Sequence, residues 1–154
     1  MHHKARTCWW FDDNGYEAAK FWCSLLPNSG IDGEFSQQDE GEPLVVEFTL
    51  AGAPMMILNG GPMFKPSAAA SISILTEDQA ETDRLWEALT ADGGAESMCA
   101  WLKDKYGVSW QIVPRRLIEL TNDPDKAAAA RAREAMFKMK KIDIDGVEAA
   151  FKGE

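Results

Sequence analysis

FDDNGYEAAKFWCSLLPNSG, Phe11 to Gly30, and LTEDQAETDRLWEALTADGG, Leu75 to Gly94, read as one unit written twice. Aligned without a gap, they match Glu17 with Glu81, Lys20 with Arg84, Phe21 with Leu85, Trp22 with Trp86, Leu25 with Leu89 and Gly30 with Gly94. A second echo follows, in which GAPMMILNG from Gly52 resembles GVSWQIVP from Gly107. Two copies are too few for a solenoid, so the expectation is one domain with internal pseudo-two-fold symmetry and a ligand between its halves.

Working outward, Ala5 to Phe11 reads as a strand rich in Thr, Cys and aromatic residues. Asn14 precedes Glu17 by three residues, a capping-box spacing that starts a helix with Phe21, Trp22 and Leu25 on its apolar face. Pro27-Asn28 stops it. Strands follow at Ile31 to Gln37, Leu44 to Leu50 and Pro54 to Leu58, and Asn59-Gly60-Gly61-Pro62 is the connection to the second module. That module repeats the pattern. Ser71 to Leu75 is a strand, Thr76 with Gln79 caps a helix striped by Leu85, Trp86 and Leu89, and Glu96 to Leu102 and Val108 to Val113 are strands. The order is βαβββ, twice. A C-terminal appendix has no counterpart in the first half. Asp123-Pro124 reads as a helix start, Ala127 to Ala130 favours helix, and Asp143 caps a last helix with Ile144, Val147 and Phe151 on one face.

The chain has 154 residues with 45% hydrophobic and 10% aromatic content, enough for one folded domain with a core and against disorder. A net charge of −9 argues against nucleic acid, whose phosphates need clustered Lys and Arg. The local run Arg131, Arg133, Lys138, Lys140 and Lys141 reads as a solvated helix face. Cys8, Cys23 and Cys99 are odd in number and form no CxxC, which points to a reducing cytoplasm. No stretch approaches a membrane span, and the N-terminus has no apolar signal core.

Four stretches carry a resemblance: Trp10 to Ser29, NGGPMFK (Asn59 to Lys65), AWLKDKYGVSWQIVP (Ala100 to Pro114) and MKKIDI (Met139 to Ile144). They are similar to the PhnB-like subfamily of the vicinal-oxygen-chelate superfamily, which includes glyoxalase I, extradiol dioxygenases and bleomycin-resistance proteins. The subfamily often bears the label 3-demethylubiquinone-9 3-methyltransferase. The resemblance implies an α+β fold in which two βαβββ modules form a U-shaped, barrel-like mixed sheet around a cavity, usually in a homodimer. The modules would span about 5–62 and 68–114, with C-terminal helices over about 115–154.

Enzymes of the superfamily hold a divalent metal with His, Glu or Gln from the first and fourth strands of each module. Counting back from the helix aromatics puts the first-strand positions at Thr7 and Ser71. Counting forward from Gly52 and Gly107 puts the fourth-strand positions at Met56 and Gln111. That set has no imidazole and no carboxylate, and divalent cations want one or the other. His2 and His3 stand together in the N-terminal tail. The expectation is therefore no metal and no cofactor.

Strand alternation places apolar residues under the helices and polar ones on the opposite, concave face. The concave set is then Ser71, Ser73, Ser109 and Gln111 in the second module and Thr7, Trp9, Met56 and Leu58 in the first, with Trp9 as a stacking surface. These residues either bind a small amphipathic ligand or simply fill the interior or a dimer seam. In LVVEFTL, Glu47 falls on the concave face and is the candidate general base, or a solvated carboxylate on an open sheet. Cys99 has no histidine to activate it and reads as a packed thiol. Three readings stand. The first is a metal-free protein binding a small amphipathic molecule. The second is a metal-dependent lyase, isomerase or dioxygenase. The third is methyl transfer to a quinone-like phenol, although no Gly-rich turn of an S-adenosylmethionine site follows the first strand.

Overall fold

A computed structural model describes residues 2–36 and 40–154. Its contacts separate into two compact units, Met1–Pro66 and Ser67–Glu154. The class is α+β, with two four-stranded mixed sheets and five helices, and neither sheet closes into a barrel among the described residues.

The first unit runs β1 (Thr7–Phe11), α1 (Gly15–Leu25), β2 (Gly30–Phe35), β3 (Val45–Leu50) and β4 (Ala53–Asn59). Its sheet has the order β1-β4-β3-β2, with β1 and β4 parallel and the other pairs antiparallel. The expected end of the second strand at Gln37 lies outside the described residues. Val46, Phe48, Leu50 and Ile57 are buried on the side facing α1. The buried stripe of α1 is Ala18, Ala19 and Trp22, whereas Phe21 and Leu25, expected to lead it, are only half-buried. Trp22 sits at the centre, with ring centroids 6.3 Å from Trp9, 5.9 Å from Phe11 and 6.0 Å from Phe48. Two large rings meeting Trp22 near edge-on is the arrangement aromatic quadrupoles favour.

The start of α1 departs from the capping-box expectation. Asn14 occupies the cap position but its side chain accepts no capping bond. The Gly15 N–H instead donates to Asn59 Oδ1 at 2.9 Å, so β4 caps the helix from across the sheet. Only glycine fits there, because a Cβ would stand 2.1 Å from Ile57 Cγ2.

The second unit runs β5 (Ser71–Thr76), α2 (Gln79–Thr90), β6 (Ala95–Glu96), β7 (Trp101–Lys103) and β8 (Ser109–Pro114). Its sheet order, β5-β8-β7-β6, repeats the first. Ile72, Leu102, Trp110 and Ile112 are buried on the helix side with Leu85, Trp86 and Leu89 of α2. Two expectations need correction. Asp78, not Thr76, caps α2, accepting from Glu81 N at 2.8 Å while Glu81 reaches back to Glu77 N. Thr76 is buried, and its hydroxyl lies 2.6 Å from that of Thr82. The single strand expected over Glu96 to Leu102 is two short strands, because Cys99 and Ala100 turn the chain at positive φ (56° and 74°). Their N–H groups donate to Met139 O and Lys140 O, so the appendix holds the turn that completes the βαβββ order.

The appendix forms α3 (Arg115–Thr121), α4 (Lys126–Phe137) and α5 (Ile144–Lys152). The cap of α4 is Asp125, accepting from Ala128 N, rather than Asp123. Leu117, Leu120, Ala132, Ile142 and Val147 make a core with Ala100. Gln79 of α2 staples it on, donating to Ile142 O and accepting from Ile144 N. Of the basic run, Arg131, Arg133, Lys138 and Lys140 are exposed, as expected of a solvated face, while Lys141 lies 2.8 Å from Asp83 of α2 and Arg131 also donates to the last carbonyls of α5. No helix among the described residues is long and apolar enough to cross a membrane.

Candidate functional site

The side of each sheet turned away from its helix carries the candidate residues. In the second unit the placement agrees with the alternation. Register pairs Ser71 with Ser109 and Ser73 with Gln111, on the face opposite buried Ile72 and Trp110. Gln111 Nε2 donates to Ser71 Oγ at 2.9 Å. Trp101 pairs with Gln111 from the other side and joins this face.

In the first unit Met56 and Leu58 lie on the face away from α1, as expected, but Thr7 and Trp9 do not. Trp9 is buried against Trp22 of α1. Its indole Nε1 has no hydrogen-bond partner among the described residues. It is a core residue, not a stacking surface. Thr7 shares its parity and therefore its face. The reason is a single residue. Three residues, Asp12 to Asn14, separate β1 from α1, whereas only Glu77 and Asp78 separate β5 from α2. Counting back from aligned helices therefore slips β1 by one, and a one-residue slip moves every side chain to the other face.

The pairing register supplies the corrected positions. Cys8 pairs with Met56 and Trp10 with Leu58, while Glu47 pairs with Met56 and Val45 with Leu58. Arg6, Cys8 and Trp10 are the residues of this face that sequence reasoning missed. The available signal was Arg6, a charge one residue before an apolar strand, with the parity of Cys8 and Trp10.

Arg6 organises one end of the face. Its side chain is 6% exposed. Nη1 lies 2.9 Å from Asp32 Oδ2 and from Phe48 O, and 3.0 Å from Met55 O. Nε stands 3.7 Å from Glu47 Oε2, and Thr49 Oγ1 donates to the same Asp32 oxygen at 2.9 Å. Burial pushes the Asp32 carboxyl up, but the bonds from Thr49 and Arg6 and the Arg6 charge outweigh it and hold it below its ordinary value. Glu47 is on the expected face, yet it shares a guanidinium rather than standing alone. Burial pushes the Cys8 thiol up, which disfavours a thiolate.

Trp10 organises the other end. Its Nε1 donates to Gly61 O at 2.8 Å, and Phe64 meets its ring edge-on at 5.0 Å. Gly60 lets the loop lie flat on the indole, since a Cβ would come within 2.4 Å of it. The Asn59-Gly60-Gly61-Pro62 connection thus also positions an aromatic pair. Beyond it, Asp12, Asp13, Glu40 and Glu42 border a pocket of about 300 Å³. Among the described residues no group of three or more His, Cys, Asp or Glu is arranged to hold a metal ion.

The model of the family described as 3-demethylubiquinone-9 3-methyltransferase matches residues 3–113. Among solved structures the chain is similar to a putative 3-demethylubiquinone-9 3-methyltransferase, PhnB protein, from Bacillus cereus. The two are 29% identical with TM-score 0.65, over 73% of this chain and 99% of that one. Protein PA1353 from Pseudomonas aeruginosa is 20% identical with TM-score 0.57, over 73% and 98% of the two chains. The fosfomycin resistance protein FosX from Listeria monocytogenes is 13% identical with TM-score 0.51, over 74% and 93%, and shares the fold. No curated protein sequence matches. The family match ends at Val113, near the close of β8, and does not extend over the three C-terminal helices. Two βαβββ units, their repeated strand order and these matches place the chain in the 3-demethylubiquinone-9 3-methyltransferase family, the PhnB-like branch of the vicinal-oxygen-chelate superfamily.

Proposed function

We propose that this protein binds a small amphipathic organic molecule on the open faces of its sheets and does so without the superfamily's divalent metal. One observation carries the reading. The face of the first sheet sets Trp10, Leu58, Val45 and Phe35 side by side along paired register positions, next to the polar row of Cys8, Met56 and Glu47. An apolar surface with few placed polar groups is the usual make-up of a small-molecule site. Ser71, Ser73, Ser109 and Gln111 offer hydroxyls and an amide on the second sheet.

The donor chemistry argues against the metal. At the first- and fourth-strand positions, corrected by register, stand Cys8 and Met56 in one unit and Ser73 and Gln111 in the other. A thioether, a thiol raised by burial, a hydroxyl and an amide supply no imidazole and no carboxylate. Methyl transfer gains no support from the topology either. Among the described residues each sheet has one parallel pair, and Asp12-Asp13-Asn14, not a Gly-rich turn, follows β1. The reading includes a reducing cytoplasm, supported by three free cysteines, and a homodimer, supported by the family resemblance.

Metal analysis of protein purified without an affinity metal tests the first claim, with well under 0.1 ion per chain expected; near-stoichiometric Zn, Ni, Mn or Fe overturns it. Thermal-shift screening of a metabolite panel tests the second, because a ligand at 100 times its Kd adds about 2.7 kcal/mol. A panel of amphipathic metabolites that leaves the melting temperature unmoved argues against it.

A further inference from the structure

The open face of the first sheet is divided along its strands into an aromatic end and an ionic end, and the division specifies a ligand charge. At the aromatic end, the Trp10 indole is held by Gly61 O and by Phe64. Phe35 and Phe64 are both more than half exposed. Exposed aromatic side chains gathered on one face mark a contact surface.

At the ionic end, one guanidinium faces two carboxylates. Arg6 is buried and its Nη1 is spent on Asp32 and two backbone carbonyls. Asp32 and Glu47, by contrast, keep 32% and 31% of their side chains exposed. Both hydrogen bonds to Asp32 fall on Oδ2. The Glu47 pair, at 3.7 Å, is longer than a hydrogen bond. Arg6 sets one guanidinium against two carboxylates, with His3 a further basic group acting on Asp32, and the face presents carboxylate oxygens rather than the sheltered guanidinium.

We infer, building on the reading above, that the ligand class is an organic cation: an apolar or aromatic body seated on Trp10, Leu58 and Phe64, carrying a protonated amine that reaches Glu47 and Asp32. The Glu47 row and the Trp10 row are two residues apart along β1 and β4, or about 7 Å. The amine therefore sits three to four methylene groups from the ring. An anion of the same shape meets the carboxylates and finds the one cation already engaged.

Three isosteric probes separate the possibilities: 4-phenylbutylamine, 4-phenylbutanol and 4-phenylbutyrate, titrated calorimetrically at pH 7 in low salt. The amine binds at least about tenfold tighter than the butyrate, and the preference shrinks in 0.5 M salt, as an exposed charge contact requires. Glu47→Gln weakens the amine by about fivefold to tenfold and leaves the alcohol unchanged. Trp10→Leu weakens all three. Melting temperatures of both variants confirm that they fold. Butyrate binding as tightly as the amine, or an amine affinity unmoved by Glu47→Gln, overturns the charge assignment while leaving the binding function standing. Silence from all three probes at millimolar concentration overturns the site itself, and this inference with it.

Discussion

Arg6→Met is the most informative single substitution in the first unit. It keeps an unbranched apolar stem and removes the cation. Three partners lose their donor: Asp32, Phe48 O and Met55 O. Breaking a fully buried ion pair from one side costs about 3–5 kcal/mol. Here both carboxylates are about a third exposed, so solvent screens them, and the ionic part falls toward the ~1 kcal/mol of surface pairs. The carbonyls are part-buried, and leaving such acceptors unmet costs about 1–3 kcal/mol. The sum is roughly 2–4 kcal/mol, most of it from carbonyl and packing loss. For a chain of this size that lowers Tm by about 5–15 °C. Urea and thermal unfolding followed by circular dichroism, on the single variants Arg6→Met and Asp32→Asn and on the double, measure it. The expected signature is non-additivity, with a coupling of about 1 kcal/mol between Arg6 and Asp32. A loss below about 1 kcal/mol for Arg6→Met, or strictly additive costs, refutes the claim that Arg6 organises this face.

Acid provides a linked test. The Asp32 carboxyl is held below its ordinary value in the fold. Its contribution is therefore complete above about pH 4 and is lost as pH falls through the depressed folded value. The stability gap between wild type and Arg6→Met should narrow below about pH 4; a constant gap down to pH 2.5 contradicts the pairing. Asp104→Asn targets the second unit. That carboxylate is 2% exposed, accepting from Tyr106 N, Val108 N and Trp110 Nε1. Replacing one oxygen by an amide NH2 sets donor against donor and should cost about 2 kcal/mol by urea titration, with no loss meaning that Asp104 is not the anchor of the β7–β8 turn. Truncation after Pro114 keeps the family-matched body but uncovers Ala100 and frees the N–H groups of Cys99 and Ala100. The shortened chain should be insoluble or melt at least about 10 °C lower, and a melting temperature within 2 °C of the full chain means that the appendix is not part of the core.

The second module was the more legible one. Ser and Ile alternate through Ser71 to Ile74, so periodicity alone chooses the face. In Thr7 to Phe11 large apolar residues occupy both parities, Trp9 and Phe11 on one and Trp10 on the other, and period-two reasoning has nothing to choose between. The face then rested on a count across a connection whose length differs between the halves. The split of Glu96 to Leu102 was hidden for another reason. No Gly or Pro marks the turn. Cys99 and Ala100 accept left-handed backbone because the distant residues Met139 and Lys140 receive their N–H groups. That is tertiary structure overriding local propensity. The Asp125 cap was a choice among two aspartates around Pro124. Asp123 instead accepts from Asp125 N and shapes the turn before the helix.

The slip in β1 has a chemical consequence that extends beyond one strand. It exchanges Thr7 for Cys8 and Trp9 for Trp10 on the open face; separately, in the second unit, register pairs Gln111 with Ser73 rather than Ser71. Neither version of the strand positions contains an imidazole or a carboxylate, so the argument against a metal does not depend on the register being counted correctly. The charge that the open face presents does depend on it. Only the parity of Arg6, Cys8 and Trp10 puts a guanidinium on the same face as Glu47, and that guanidinium turns an isolated carboxylate into one member of a cluster. A general base has to take up a proton and give it back during turnover, whereas a carboxylate beside a fixed cation is suited to holding a ligand's charge. In the proposed reading Glu47 anchors a cation, and its substitution should change how tightly the protein discriminates amines from carboxylates.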